Sequence, residues 1–421
     1  MSKLTKLLIV PVAILSLTTA AFAQDFSMGD ETKGLKVKIS DDTDISLRVR
    51  MQPRLDMGDL IKNEAGTSYE SEMDSYLRRL RLEIGGNMVK ELKYSLVFEA
   101  DKNGKFASSS GSPTNEVKIQ IANIDYKFHD LLGVRFGKAK LPYSRVSLSS
   151  SSKQLIVERP VSTEAAKKLF DYYYQSNLMF SGKIAEGLFA YNFAIGDGWE
   201  PNSTIHSGST TTNYNTTCDS STPPTCTTTA TSTDTNIKVH KSSPLYIARL
   251  EFSPPGWTEA SQSDSHLGKG KHLTVGANYA TQKGIEYKTT AFEEDRTLTG
   301  LDVSGHWEGF TGQLEYNTWK EESTDPAKGK KEPQGWYLQA GYLIPGINVE
   351  PVARYEVYDQ DSNSDNKQEK TTTVGVNWYL KGHSMKIGLN RVSTKYDSSA
   401  SGVLANADTK DTYQLQAQLY F

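Results

Sequence analysis

Arginine recurs at alternate positions in the first strongly patterned part of the chain. Between Ile45 and Met57 the odd-numbered residues are apolar, while the even-numbered ones include Arg48, Arg50 and Arg54. Side chains of an extended strand point alternately to opposite faces, so these three guanidinium groups share one face. A row of such charges attracts anions, and that is the chemistry this spacing offers.

A second segment repeats the arrangement. Between residues 76 and 88 apolar residues alternate with Arg79 and Arg81, while Arg135 and Arg354 occupy the same predicted face of later strands. An ion that crosses a narrow, water-filled barrel feels wall charges at short range, because the walls have a low dielectric constant. If these faces line such a barrel, we expect a weak to moderate preference for anions.

Acidic residues limit that preference. The later strands also direct Glu251, Glu315 and Glu356 to the predicted inner face, so one wall is basic and the opposite wall is mixed. Without its first 23 residues the chain carries 45 lysines and arginines against 50 acidic residues. The alternative interpretation is that the arginines pair with neighbouring carboxylates and only keep a wet interior soluble, since single ion pairs contribute little.

The two ends of the chain indicate export and membrane insertion. Residues 1–23 contain a basic start, an apolar stretch and a small-residue pattern at 21–23, which is typical of a cleaved signal peptide. Residues 24–44 would then form a short periplasmic segment. The last ten residues alternate again and end on the aromatic Phe421, which is typical of an outer-membrane strand and its assembly signal. A half-buried strand of a soluble sheet alternates in the same way.

Segments with this alternation recur about sixteen times between residues 45 and 421, and bacterial barrels have an even number of strands. Long connections alternate with short ones, as extracellular loops and periplasmic turns do in such barrels. Segment 253–271 is an exception, because it is long but falls on the predicted periplasmic side. The predicted fold class is therefore all-β, a transmembrane antiparallel β-barrel of about sixteen strands over residues 45–421.

The longest predicted outer loop spans about residues 196–243 and is rich in threonine and serine. Such a composition cannot build a core, so we expect an exposed loop. Both cysteines, Cys218 and Cys226, lie within it. In an oxidising compartment two thiols this close favour a local disulfide; a metal or redox site is the alternative, but no histidine or acidic cluster adjoins them.

Five segments are similar, in order, to parts of a known family. They read YLRRLRLEIGG at 76–86, VRFGKAKLPYS at 134–144, VERP at 157–160, VEPVARY at 349–355 and VGVNWYL at 374–380. Together they resemble the phosphate-selective porin O and P family of Gram-negative outer membranes. The segments are spread over most of the chain, so the resemblance covers the whole predicted barrel.

The resemblance implies a trimeric, sixteen-stranded diffusion channel for small anionic solutes. Such a channel lies in outer-membrane lipid and is inserted by the barrel-assembly machinery. In these porins the third outer loop folds into the lumen and narrows it. The residues of this chain that flank or enter that loop are the candidates for the constriction: Lys140, Arg145, Arg159, Lys167 and Lys168. Phosphate and other oxyanions are the candidate solutes, although the fifth outer loop mixes acidic and basic residues.

Other functions fit the sequence less well. The seven histidines are scattered and no GxSxG or HExxH motif is present, so neither catalysis nor a metal or cofactor is expected. A nucleic-acid partner is not expected either. An energy-coupled transporter would need a globular plug before the first strand. The main alternative is a non-selective or structural barrel that serves as a scaffold or docking partner for another envelope protein.

Overall fold

The computed structural model describes residues 27–28, 34–105, 116–207, 210–218, 226–259 and 262–421. For residues 27–28, 210–218 and 226–234 it describes the backbone only. The predicted signal peptide, residues 1–23, lies outside the described residues. Within the described ranges, none of the helices is long and apolar enough to cross a membrane.

Sixteen long antiparallel strands of the described chain form one closed sheet, in which each pairs with the next and the last pairs with the first. The strands β1 to β8 are Asp44–Lys62, Tyr69–Val89, Leu92–Asn103, Val117–His129, Leu132–Lys140, Tyr174–Ile184, Phe189–Gly196 and Leu245–Phe252. The strands β9 to β16 are His272–Tyr287, Glu293–Trp307, Phe310–Ser323, Gln334–Tyr342, Val349–Asp359, Gln368–Lys381, Met385–Tyr396 and Thr409–Tyr420. The predicted fold class, an antiparallel β-barrel, is confirmed.

The alternating pattern places apolar side chains on the outside of the barrel and polar ones in its interior, the reverse of a soluble protein. On β16, Leu415 faces outward, whereas Gln416 and Gln418 are buried in the interior. The outer face carries large apolar side chains such as Phe136 and Leu301, which are 62% and 56% exposed. Lipid covers such side chains in an outer-membrane barrel, while the interior wall offers hydrogen-bond partners to the polar ones.

Several strands run further outward than the sequence pattern indicates. The pattern predicts a first outer loop over residues 58–75, but β1 continues to Lys62 and β2 begins at Tyr69. Above the lipid both faces of the sheet meet water, so a strand needs no alternation of apolar and polar residues there. The predicted boundary therefore marks the end of the lipid-facing pattern, and the strand itself ends later.

The long outer connection between β7 and β8 is not irregular throughout. Its described residues form four short strands, which pair as Thr204–His206 with Ile237–Lys241 and as Thr210–Cys218 with Cys226–Asp234. Threonine is β-branched and favours strands, so a threonine-rich loop can pair as a hairpin without a core. The backbones of Cys218 and Cys226 lie directly opposite each other. Their side chains lie outside the described residues, so the disulfide stays a prediction.

The segment before β1 also joins the sheet. Strand Leu35–Lys38 pairs with the beginning of β1, with Leu35 opposite Leu47. On the same edge of β1, two backbone hydrogen bonds of 2.7 and 3.0 Å join Val49 and Phe421. The N-terminal strand and the end of β16 therefore lie in line along one edge of β1.

Two connections fold into the barrel interior. Loop L3, residues 141–173 between β5 and β6, contains helices α1 (Arg145–Leu148) and α2 (Val161–Lys167). The second is the periplasmic segment between β8 and β9, which is described over residues 253–259 and 262–271. The two meet inside the barrel, because the Ser265 N–H donates to the carbonyl of Lys153 in L3 at 3.0 Å. The shape of the lumen therefore depends on both connections.

Candidate pore constriction

Loop L3 rests on an apolar part of the inner wall. Leu245 and Ile247 of β8 and Leu298 of β10 are fully buried there. Tyr143 and Phe170 of L3 belong to the same cluster. An apolar patch inside a water-filled barrel is unfavourable unless something covers it, so these wall residues fix the place of L3.

Polar contacts fasten L3 to the mixed wall of the barrel. The backbone N–H of Val161, at the start of α2, donates to Glu356 at 2.5 Å. Glu315 accepts hydrogen bonds from the hydroxyl groups of Thr163 at 3.0 Å and Ser144 at 2.8 Å. These glutamates therefore serve as acceptors for L3 groups, and less of their charge is open to a solute.

Glu158 fastens the middle of L3 to the basic wall. Its carboxylate pairs with Arg54 and accepts two hydrogen bonds from Arg78, at 2.5 and 3.0 Å. Arg79 lies 4.0 Å from the same carboxylate. Burial alone would raise the pKa of Glu158, but the guanidinium groups of Arg78 and Arg54 hold it well below its usual range. L3 thus bridges the lumen from the mixed wall to the basic wall.

Most of the predicted pore-lining arginines point inward and are ion-paired. Each has a carboxylate within 3.3 Å. The pairs are Arg48 and Arg50 with Glu83, Arg54 with Asp56, Arg81 with Glu99, Arg135 with Asp125, and Arg354 with Glu356. Their charge is largely compensated, so their field in the lumen is weaker than their number suggests.

Lys140 and Arg159 differ from these pairs. Lys140 donates to the carbonyl oxygens of residues 147–149 at 2.9 to 3.2 Å. Three acceptors match the three N–H donors of an ammonium group, the charged form of lysine. Arg159 donates to the carbonyls of Val146 at 3.1 Å and Ser149 at 3.2 Å. Among the described residues neither cation has an ion-paired carboxylate, so both leave positive charge at the edge of L3.

Lys167 belongs to the same group of charges. Its ammonium pairs with Glu164 at 2.5 Å. Burial, together with the positive charges of Arg159 and Arg79, lowers the pKa of Lys167 to about 8. The neighbouring Lys168 is exposed and lines the outer part of the lumen. Four of the predicted constriction residues therefore lie on or beside the inner edge of L3.

Loop L3 lies between an outer and an inner cavity of the described part of the barrel. The outer cavity, about 880 Å³, is lined by Arg159 and Lys168 among others. The inner cavity, about 840 Å³, is lined by Lys140 and Arg81. Because Lys140 and Arg159 both contact the carbonyl of Ser149, a thin edge of L3 separates the two cavities. A solute that passes this edge would meet these cations.

Arg145 occupies a different place from the predicted constriction. It is only 2% exposed, pairs with Glu259 and donates to the carbonyl of Ser263 at 3.2 Å. Both partners belong to the periplasmic segment. Arg145 therefore joins L3 to the periplasmic segment and is covered on all sides, whereas the other candidates lie at the edge of L3.

Ser265 attaches the periplasmic segment to the barrel wall. Its hydroxyl donates to Glu350 at 3.0 Å and accepts from Tyr379 at 2.9 Å. Its carbonyl lies 3.0 Å from a ring nitrogen of His383. The neighbouring Asp264 is buried, and burial raises the pKa of this carboxyl to about 6. The periplasmic segment thus fills part of the lumen beneath L3.

The sequence pattern did not reveal Arg78 and Glu158 as part of the constriction. The pairing of β1 with β2 shifts by one residue at Pro53, and Arg78 has no residue opposite it. This β-bulge places Arg78 and Arg79 both in the interior. A proline inside a strand is the sequence signal for such a bulge. Glu158 carries no comparable signal, because it lies in a loop without periodicity.

A closed sixteen-stranded barrel narrowed by an inward-folded third loop has the architecture of an outer-membrane porin. The anion-selective porin from Comamonas acidovorans has a TM-score of 0.57 at 12% identity, over 90% of this chain and 100% of that chain. The outer membrane channel DcaP of Acinetobacter baumannii has a TM-score of 0.55 at 11% identity, over 91% and 99%. OmpT of Vibrio cholerae in its trimer form has a TM-score of 0.52 at 10% identity, over 90% and 100%. These structures share the fold.

The family model for the phosphate-selective porin O and P matches residues 47–421. An uncharacterized protein of Aquifex aeolicus (strain VF5) is 34% identical over 416 residues, which are 93% of this chain and 91% of that protein. The chain therefore belongs to the phosphate-selective porin O and P family, and the resemblance seen in the sequence is confirmed. It is a porin of the outer membrane, a channel rather than an enzyme.

Proposed function

We propose that the barrel is a diffusion channel for small solutes with a weak to moderate preference for anions, inorganic phosphate and other oxyanions among them. The observation that carries this proposal is the position of Arg159. Its guanidinium is always charged, and no carboxylate of the described residues pairs with it. Arg79, Lys140 and Lys167 extend the positive region beside the same edge of L3.

The ion-paired arginines contribute less to this preference. A guanidinium in contact with a carboxylate acts as a dipole, whose field falls off faster with distance than that of a single charge. A unit charge 4 Å from an anion is worth roughly 4 kcal/mol at an effective dielectric constant of about 20. The few uncompensated cations at L3 should therefore decide the selectivity.

Phosphate is expected to cross together with other anions, without tight binding. Lys140 already uses three N–H donors on backbone carbonyls, and Arg159 uses two. Tight binding of phosphate requires several free donors that converge on its oxygens. These cations therefore supply attraction over a few ångströms but few free hydrogen bonds.

Biogenesis and assembly form part of the proposal. Residues 1–23 are a cleaved signal peptide, residues 24–44 lie on the periplasmic side, and Phe421 is the signal for the barrel-assembly machinery. A homotrimer in outer-membrane lipid is supported by the trimer form of OmpT from Vibrio cholerae, which shares the fold. A disulfide between Cys218 and Cys226 is supported by their opposite places in the hairpin.

Planar-bilayer recordings in a potassium chloride gradient test the selectivity. The wild-type channel should give a reversal potential on the anion side, and Arg159→Gln should move it toward zero. Arg391→Gln is the matched control, because Arg391 pairs with Asp411 at 3.3 Å on the outward face of β15 and should not affect the lumen. Equal reversal potentials for Arg159→Gln and the wild type would show that the preference has another origin.

A structural barrel is the second candidate function. L3 and the periplasmic segment fill much of the lumen, which is the observation in its favour. The same recordings separate the two functions, since a purified, folded barrel that never opens would favour a scaffold. Ohmic channels would favour diffusion.

A further inference from the structure

A carboxylate without a partner lies in the wall of the outer cavity. Glu369, near the outer start of β14, lines this cavity and is 9% exposed. Within the described part of the chain it has neither a hydrogen bond nor an ion pair to its side chain. Burial of an unpartnered carboxylate costs free energy. A ligand that brings a positive charge into the cavity would remove that cost.

Aromatic rings flank Glu369 on both sides. Tyr358 of β13 and Tyr396 of β15 lie directly opposite Glu369 on the two neighbouring strands, and both line the outer cavity. The ring of Tyr358 stacks on Trp319 of β11, with centroids 5.8 Å apart and planes inclined by 17°. The faces of aromatic rings attract cations. The carboxylate therefore sits among groups that would hold an organic cation.

Four other carboxylates line the outer cavity, and each is already engaged. Glu158 pairs with Arg54 and Arg78, and Asp171 accepts a hydrogen bond from the hydroxyl of Ser203 at 3.0 Å. Glu164 pairs with Lys167 at 2.5 Å, and Glu321 lies 3.7 Å from Arg296. A cation that entered the cavity would have to compete with these partners. It would meet no such competition at Glu369.

We propose that the outer cavity binds organic ammonium ions, with the positive nitrogen at Glu369 and the hydrocarbon part against Tyr358 and Tyr396. A small inorganic cation would satisfy the carboxylate alone, and an uncharged apolar solute would satisfy the rings alone. An amine with a hydrocarbon body satisfies both. Zwitterions fit as well, because Arg159 and Lys168 line the same cavity and can meet a carboxylate.

The test is the binding of benzylammonium to the purified full-length barrel in detergent, measured by calorimetry. Benzyl alcohol is the matched probe, because it has nearly the same shape and no charge. The wild type should bind benzylammonium at least tenfold more tightly than benzyl alcohol. Glu369→Gln should weaken benzylammonium binding by about tenfold, or about 1.4 kcal/mol, and leave benzyl alcohol unaffected.

Tyr358→Leu is the second variant, since it keeps the carboxylate and removes one ring, and it should weaken benzylammonium binding several-fold. Glu322→Gln is the control, because Glu322 pairs with Lys330 at 3.4 Å outside the cavity and should bind as the wild type does. If both probes bind equally, or if neither Glu369→Gln nor Tyr358→Leu weakens benzylammonium binding, the proposal is overturned. Full displacement of benzylammonium by an equal concentration of potassium ions would also overturn the proposal, because it would indicate an inorganic cation site.

This binding measurement needs no ion current. If the barrel binds benzylammonium but shows no anion preference, the amine site is supported and the proposed selectivity is contradicted. If the barrel prefers anions but does not bind benzylammonium, the selectivity is supported and the amine site is contradicted. The two proposals therefore fail separately.

Discussion

Glu83 shows how the lumen compensates its own arginines. Its carboxylate pairs with Arg50 at 2.7 Å and with Arg48 at 3.3 Å, and it accepts a hydrogen bond from the hydroxyl of Tyr420 at 2.8 Å. The ring of Tyr420 also lies 4.3 Å from the guanidinium carbon of Arg50. One acidic residue thus holds two arginines against the wall. Selectivity is left to the cations at the edge of L3, above all to Arg159, whose partners are backbone carbonyls.

Lys167 should make the anion preference depend on pH, because loss of its charge leaves the carboxylate of Glu164 uncompensated beside L3. Lysine is charged below its pKa, and the pKa of Lys167 is lowered to about 8, so this charge is mostly present at pH 7 and mostly lost at pH 9. Most lysines keep their charge up to about pH 10. The reversal potential of the wild type should therefore move toward zero between pH 7 and pH 9.

Lys167→Gln should show a smaller anion preference already at pH 7 and little change up to pH 9. Lys168→Gln is the control, since it removes the neighbouring exposed charge and should keep the pH dependence. A wild-type reversal potential that stays constant from pH 7 to pH 9 would contradict the role of Lys167.

Glu158→Gln should loosen L3 and increase the anion preference together. Arg54 and Arg78 would lose a shared partner, and removal of one member of a buried ion pair costs several kcal/mol. Because the Glu158 side chain is 30% exposed, we expect a loss of about 1 to 3 kcal/mol. Thermal unfolding in detergent measures the loss, and the reversal potential measures the selectivity. Glu308→Gln, at an exposed turn, should change neither quantity.

Among the elements, strands could be predicted from the sequence and the inner loop contacts could not. Alternation identifies a strand because each position faces one of two environments. Leu245 and Ile247 break this rule, since they are apolar at inward positions. They form part of the wall on which L3 packs. The pair of Arg145 and Glu259 left no sequence signal, because neither residue lies in a periodic segment. The strands of this barrel were therefore predictable, whereas the contact between L3 and the periplasmic segment was not.

The periplasmic segment should limit the conductance of the channel. Replacement of residues 258–268 by a short glycine–serine turn removes the group that fills the lumen beneath L3, so the single-channel conductance should rise clearly. Ser265→Ala should give a smaller rise, because it removes only the hydroxyl contacts with Glu350 and Tyr379. Single-channel recordings in potassium chloride measure both variants.

Lys271→Ala is the control for these variants. Lys271 lies at the edge of the periplasmic segment, where its ammonium is 4.9 Å from the ring centroid of Trp257, and its loss should leave the conductance unchanged. An unchanged conductance after removal of residues 258–268 would mean that the current bypasses the segment.

For the molecule as a whole, net charge says little about selectivity. The chain has a formal charge of −3, which would suggest repulsion of anions. That number sums outer loops, lipid-facing wall and lumen alike, and salt screens exposed charges beyond about 10 Å. Only charges that line the lumen act on a passing ion at short range. A basic edge at L3 is therefore compatible with an acidic chain.

Closure of the sheet can be tested by a disulfide across the seam between β1 and β16. Leu55 and Leu415 lie directly opposite each other there, and Leu415 points outward, away from the lumen. Residues in such positions have Cβ atoms about 4.5 to 5.5 Å apart, close to the distance that a disulfide spans. In a chain whose native cysteines are replaced by serine, Leu55→Cys with Leu415→Cys should form a covalent ring on oxidation.

The ring should be visible after complete denaturation. A boiled, unreduced sample would migrate faster on a denaturing gel than the linear chain, and a reductant would abolish the difference, because the ring keeps the denatured chain more compact. Leu415→Cys with Leu338→Cys is the control, since Leu338 is also exposed on the outer face but lies on β12. In an open sheet β1 and β16 would be the two distant edges, and neither pair would form a ring. A ring from the seam pair alone therefore requires a closed barrel, which is the condition for a lumen lined by the inward-facing residues of all sixteen strands.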